Sequence, residues 1–379
     1  MKKILILISF LLLPITVCAE ESLIPNATTG VLIDADSGKI LYEKDKDNKV
    51  SVASMTKMVA QIIILEEVEK DKIKWTDIVT VSKNASEMGG SQLYLEPNEK
   101  MSVLDLMKGI SVASANDATV AMAEYISGSE EKFVKRMNKK IKELGLKNTH
   151  FSNSTGLDQD NHYSTSSDMA LVARDLIINH PKILEFSSIY EDYLRQDREE
   201  KFWLVNTNKL VKLYEGVDGL KTGHTDDAGY CMTVTAKKNG LRVIGVVTGE
   251  KSAKERNKEV VDLLDYAFAN YKVKTIVSKN KNLGSIKVLK GKKEQVPITL
   301  QEDATIIEDS EKNTKYKYNI NVEEIVEAPI TKNTSIGTLE VLLNNKVIKK
   351  VNIITKEEVA KANLLDVYKK TLAMVLTGK

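Results

Sequence analysis

The first recurring pattern is an alternation of apolar and polar positions on either side of Asp36, Ser37 and Gly38 in "TGVLIDADSGKILYEKD". A period of two flanking a turn predicts a β-hairpin. Over residues 55–68 the apolar positions shift to a helical period, and "VLDLMKGISVASANDATVAMAEYI" continues it with a polar interruption at residues 114–117. The pattern returns to strands in "GYCMTVTAKKNGLRVIGVVTG", where two β-rich runs meet at Asn239 and Gly240. Both residues accept the positive φ of a type I′ turn. A further helix is expected over residues 255–271. Early and late strands around a helical insert predict an α+β domain with mainly antiparallel pairing.

Beyond that helix the helical period disappears. Short strand-like runs follow, "GSIKVLKG", "QVPITL", "YKYNINV" and "GTLEVLLNNKVIKKVNII", the last folding back at an Asn-Asn turn. They predict a small all-β module with no cluster of His, Cys or carboxylates, which fits a spacer or docking role. At the end, "NLLDVYKKTLAMVLTGK" puts Leu364, Leu365, Tyr368, Leu372, Val375 and Leu376 on one helical arc. Asp366, Lys369 and Lys370 fall mostly opposite, with Val367 and Met374 off the arc. Such a helix either lies in a membrane interface or packs on its own domain. The expected division is a leader over 1–19, a first domain over 20–272, a β-rich domain over 273–356 and the terminal helix over 357–379.

The 379 residues are 42% hydrophobic and 28% charged, and the net charge is +2. That is the balance of a soluble globular protein and gives no sign of a nucleic-acid partner. The opening "MKKILILISFLLLPITVCAE" has the form of a secretory signal, with Lys2 and Lys3, an apolar run and small Ala19, so export with cleavage after Ala19 is expected. The run contains Pro14 and is shorter than the roughly 20 residues of an uninterrupted span. Val17 ahead of Cys18 is too bulky for the lipid-attachment alternative. After cleavage only Cys231 remains, expected on a buried strand, so no internal disulfide can form.

In "SVASMTKMVA" Ser54 and Lys57 stand three positions apart, on one face of a helix. A hydroxyl becomes a good nucleophile when a base removes its proton, and a lysine serves as that base only if desolvation or a nearby cation lowers its pKa. Alone, the pair reads more readily as an N-cap serine beside an ordinary lysine of a Lys-rich chain. Two further stretches supply complementary groups. Ser114 and Asn116 of "SAN" offer a proton relay and an orienting amide, and Lys221 of "KTG" offers a cation for a carboxylate that also depresses the first lysine. Gly223 lets a substrate backbone approach the strand edge.

This ordered set resembles the serine penicillin-binding proteins. With "GGSQLYLEP", "LGLKNTHF", "GLDQDNHYST" and "VDGLKTGHTDDAGY", the mature chain is similar throughout to the low-molecular-mass D-alanyl-D-alanine carboxypeptidases. The resemblance implies that Ser54 attacks the terminal D-Ala-D-Ala bond of a peptidoglycan stem peptide, with Lys57 as base. Ser114 would relay the proton, Asn116 would orient Lys57 and the substrate amide, and Lys221 with Thr222 would engage the terminal carboxylate, assisted by Arg256. Backbone N–H groups of Ser54 and His224 would form the oxyanion hole. It also implies an antiparallel sheet flanked by helices, covalent acylation by β-lactams, action at the outer face of the bacterial cytoplasmic membrane with the terminal helix as peripheral anchor, and no cofactor.

Other readings remain at this stage. A β-lactamase or a transpeptidase shares the three motifs, and a non-catalytic wall-binding protein could keep the fold. His150, His162, His180 and His224 are scattered, without an HExxH or a Gly-x-Ser-x-Gly elbow, so neither a metal site nor a Ser-His-Asp triad is expected.

Overall fold

The computed structural model describes residues 22–312 and 314–377. The expected leader, with Cys18 and the cleavage position after Ala19, lies outside the described residues. Strands β1 (Thr29–Asp34), β2 (Ile40–Lys44), β3 (Val217–Thr225), β4 (Gly229–Lys238) and β5 (Leu241–Glu250) form one sheet in the order β2-β1-β5-β4-β3. Every pairing in it is antiparallel. Asn239 and Gly240 join β4 to β5 at φ 49° and 84°, a left-handed conformation that Asn tolerates and Gly, lacking a Cβ, adopts freely. Helices α1 (Lys57–Glu69), α2 (Asn116–Ser127), α3 (Glu130–Glu143) and α4 (Ser166–Asn179) lie between β2 and β3, and α5 (Ala253–Asn270) follows the sheet.

The sheet is covered on both faces. Val31 and Ile33 pack with Ile244 and Val246 under the helical insert, while Leu32 points the other way to join Met232, Val234 and Val247 beneath α5. Double coverage buries all six residues of β1, so the alternation of inner and outer positions expected for it is not realised. Helix α5 begins at a cap in which Ser252 Oγ accepts from Glu255 N at 3.1 Å and donates to Glu255 Oε2 at 3.0 Å. It ends at Asn270 because Tyr271 already belongs to the next strand, Tyr271–Val277.

Helix α1 is the centre of the domain: its first nine residues, Lys57 to Leu65, are all buried. A helix apolar nearly all round is a core helix, and this one carries Lys57 inside with it. The interruption expected over 114–117 is shorter and sharper in the structure. A π-type turn, Gly109–Ala113, leads to Ser114 at φ 62°, and α2 starts at Asn116, so Asn116 and Asp117 are already helical.

In the second domain, strands Lys317–Val322, Ser335–Leu343, Lys346–Thr355, Gln295–Leu300, Ser285–Leu289 and Ile325–Glu327 are neighbours in that order in a six-stranded sheet. Asn344 and Asn345 turn the central hairpin at φ 49° and 63°. Its core, including Val296, Leu339, Val341 and Ile353, is separate from the two in the first domain. Lys349 Nζ donates to both carboxylate oxygens of Asp36 at 2.8 Å, joining this domain to the turn between β1 and β2.

The terminal helix α6 (Leu364–Thr377) leaves its apolar side chains in solvent: Leu364, Tyr368 and Leu376 are 91%, 65% and 76% exposed. The side chains of Lys370 and Met374 lie outside the described residues. Among the described residues no helix is long and apolar enough to cross a membrane.

Candidate active site

Ser54 sits in a 3-10 turn, Ala53–Thr56, that feeds directly into α1. The helix then returns Lys57 to the same face one turn later, with its Nζ 2.7 Å from Ser54 Oγ and donating to Thr155 O at 2.8 Å. The Lys57 side chain is fully enclosed. Burial, followed by the charge of Lys221, holds its amine well below the ordinary lysine value, against the opposing pull of Asp117.

Two glycines let other segments close on this turn. A Cβ on Gly156, which has φ +85°, would fall 1.9 Å from Ala53 O. One on Gly223 would fall 2.9 Å from Val52 O and 3.2 Å from Ser54 N. Gly223, expected to admit a substrate backbone, also admits a backbone of the chain itself. The backbone that comes close to that edge of β3 is the turn carrying Ser54, which brings the Ser54 amide beside the strand that bears His224.

Lys221 lies on β3, buried, with Nζ donating to Thr222 O at 3.0 Å. Burial, then the charge of Arg256, lowers its pKa to about 7. Thr222 Oγ1 donates to Thr207 Oγ1 at 2.8 Å, and His224 packs its ring on its cross-strand partner Tyr230, centroids 4.0 Å apart. Arg256, on the first turns of α5, is buried and donates through Nε and Nη2 to Asn257 Oδ1. Its own burial brings it down to about 10. Cys231 is buried on β4 as expected, opposite Gly223, and burial pushes its thiol up to about 11.

On the opposite wall, Asn116 Nδ2 donates to Gly89 O at 2.7 Å, and its buried Oδ1 has no partner in the structure. The sequence expectation joined Asn116 to Lys57, whereas here its amide nitrogen holds the loop at Gly89. Asp117, fully buried, accepts from Leu93 N and Leu95 N, each 2.9–3.1 Å from a carboxylate oxygen, and from Ala118 N at 2.8 Å. It thereby fixes the segment after Gly90 and Ser91.

Ser54, Ser114, Asn116, Thr222, Gly223, His224 and Arg256 all line one cleft of about 610 Å³. Lys57 and Lys221 lie buried beneath it. The charged lining residues are Lys209 and Arg256, with no carboxylate among them, so the cleft is built for an anionic group. Sequence reasoning missed Asp117, Thr155, Gly156 and Thr207, and gave His162 no part in the site. His162 Nε2 lies 2.8 Å from Thr56 Oγ1 and its Nδ1 accepts from Ser152 N at 3.2 Å. Burial lowers its pKa to about 4, so it braces the serine turn as a neutral ring. Among the described residues no group of three or more His, Cys, Asp or Glu is placed to hold a metal ion.

An antiparallel sheet with a central buried helix, a cleft beside two buried lysines and a β-rich second domain match penicillin-binding protein 5 in fold. Residues 17–252 match the family described as D-alanyl-D-alanine carboxypeptidase, and 271–361 the one described as penicillin-binding protein 5, C-terminal domain. The chain belongs to the D-alanyl-D-alanine carboxypeptidase family. It is 45% identical over 348 residues to D-alanyl-D-alanine carboxypeptidase DacF of Bacillus subtilis, spanning 92% of this chain and 89% of that protein. The crystal structure of penicillin-binding protein 5 from Haemophilus influenzae superposes with a TM-score of 0.69 at 34% identity, over 89% of this chain and 98% of that one. Penicillin-binding protein D2 of Listeria monocytogenes in its ampicillin-bound form gives 0.58 at 32% identity, over 64% of this chain and 98% of that one.

Proposed function

We propose that the chain hydrolyses the terminal D-Ala-D-Ala bond of peptidoglycan stem peptides through an acyl-enzyme on Ser54. The observation that carries this reading is the 2.7 Å contact between Ser54 Oγ and the enclosed Lys57 amine. Lys57, its amine held toward the neutral form by burial, takes the Ser54 proton as the oxygen attacks the penultimate carbonyl carbon. Negative charge then develops on the carbonyl oxygen, which the backbone N–H groups of Ser54 and His224 receive; one such donor is typically worth about 3 kcal/mol of barrier. Collapse breaks the peptide bond, and Ser114 passes the proton to the departing D-Ala amine. Water, deprotonated by Lys57, attacks the ester and frees Ser54.

Lys221, Thr222 and Arg256 receive the substrate's terminal carboxylate, in line with the cationic lining of the cleft. Asn116 Oδ1 accepts from the substrate amide, the partner it lacks in the free protein. A β-lactam acylates the same serine and stays bound, and the ampicillin-bound form of the Listeria relative agrees with that reading. The chain acts after export, at the outer face of the cytoplasmic membrane, where the exposed apolar arc of α6 rests in the lipid interface. Release of D-Ala from a pentapeptide ending in D-Ala-D-Ala tests the activity. Rapid turnover of penicillin with no D-Ala release would identify a β-lactamase instead, and transfer to an added amine in place of hydrolysis would identify a transpeptidase.

A further inference from the structure

Between α4 and β3 a short hairpin pairs Glu191–Leu194 with Phe202–Val205. Its inner positions Leu194 and Leu204 are buried and supply the apolar contact that holds the hairpin to the domain. On the other face Tyr193 and Trp203 are direct cross-strand partners, so their side chains stand side by side. They are 48% and 56% exposed. Two large aromatic side chains left together in water mark a contact surface rather than a packing requirement already met by the leucines.

What covers them follows from where the strand leads. Val205 is two positions beyond Trp203 and on the same face, because side chains alternate along a strand, and Val205 lines the catalytic cleft. The aromatic pair therefore continues the cleft wall, about 7 Å further along. In the proposed substrate, four residues separate the scissile carbonyl from the glycan strand, a reach of at most roughly 14 Å. A stem peptide seated at Ser54 and running past Val205 delivers its sugar to this face. A sugar ring presents a C–H face bordered by hydroxyls. Such a surface stacks on aromatic rings, while the Tyr hydroxyl and Trp N–H remain available for hydrogen bonds. The one charged strand residue on this face is Glu191, which suits a neutral polyol and opposes an anionic lipid surface.

We propose that Tyr193 and Trp203 form a platform that binds a sugar ring of the glycan strand bearing the stem peptide. The proposal rests on the carboxypeptidase reading, since it takes the substrate polymer from it. The platform makes the chain favour glycan-linked stem peptides over free ones.

The test compares kcat/KM for D-Ala release from a free pentapeptide and from the same pentapeptide attached to its disaccharide. Trp203→Ala is expected to lower the value for the glycan-linked substrate roughly tenfold and leave the free peptide unchanged, with Trp203→Phe restoring most of it. Equal loss on both substrates, or loss on neither, overturns the proposal. A binding arm does not depend on catalysis: peptide-free glycan fragments should quench the fluorescence of Trp203 in the unaltered protein. The other tryptophan, Trp75, packs against Phe186 with centroids 5.3 Å apart. Quenching by anionic vesicles but not by glycan, or concentration-dependent self-association through this face, would overturn it too. If no D-Ala is released from either substrate while glycan still quenches, the carboxypeptidase reading fails and the platform stands.

Discussion

The charge of Lys221 is, after burial, the second cause that holds the Lys57 amine well below its ordinary value. Burial pulls both amines toward the neutral form, which suits Lys57 to accept a proton, while Lys221 can hold a carboxylate as a cation only below its value of about 7. With Lys221 lowered to about 7, the kcat/KM profile for D-Ala release should rise as Lys57 loses its proton and fall as Lys221 does. Lys221→Arg keeps a cation at every working pH, so its falling limb should move well above 7. A profile whose falling limb does not move would detach Lys221 from carboxylate binding.

The same burial affects stability. Lys221 has a folded-state pKa of about 7 against an ordinary value of 10.5, so between those limits the unfolded chain binds more protons than the folded one. Its contribution to stability therefore rises with pH across that window. Lys221→Met should melt higher than the unaltered protein at pH 7, by an amount that shrinks as pH approaches 10. Thermal melts at three pH values check this, and a gap that widens with pH would contradict it.

Gly223 and Gly156 both line the cleft and let their segments close on the serine turn. Gly156→Ala combines a positive φ with a collision on Ala53 O, and should cost about 1–3 kcal/mol of stability along with most activity. Gly223→Ala meets Val52 O at 2.9 Å and has ordinary φ, so its effect should fall mainly on the acylation rate. Stopped-flow acylation by penicillin alongside denaturant unfolding separates the two outcomes.

Asp117 holds the backbone of Leu93 and Leu95 and raises the Lys57 pKa. Asp117→Asn should lose about 1–3 kcal/mol in urea unfolding. It should also move the rising limb of the pH profile to lower pH, because the charge opposing Lys57 deprotonation is gone. A rising limb displaced to higher pH would contradict this account.

Leu372 and Leu376 are 45% and 76% exposed on α6. Changing both to Asp should release the protein from vesicles and from the membrane fraction, since each exposed leucine contributes apolar area to the interface. Unaltered fractionation would remove the anchor role.

The parts of the fold legible in the sequence are those whose signal is local. Asn239 with Gly240 and Asn344 with Asn345 mark their own turns, and the arc of α6 is visible in its spacing. Ser54 and Lys57 are legible as a pair because one helical turn separates them, and the ordered resemblance supplied the rest of the candidate set. The contacts that were not legible join positions far apart in the chain: Asp117 to Leu93 across 24 residues, Lys57 to Thr155 across 98 and Thr56 to His162 across 106. No periodicity records such pairings. Gly223 shows the same limit, since its sequence context shows that something approaches closely and only the fold shows that the Ser54 turn does. The hairpin carrying Tyr193 and Trp203 leaves no clear alternation in the sequence because its strands are four residues each.

The most direct test of the central claim is to find which atom a β-lactam acylates. The protein should be incubated with penicillin, digested and sequenced by mass spectrometry. A single penicilloyl group on Ser54, absent from Ser54→Ala and slowed by orders of magnitude in Lys57→Ala, is the predicted result. An adduct on another residue, or equal labelling of Ser54→Ala, would contradict it.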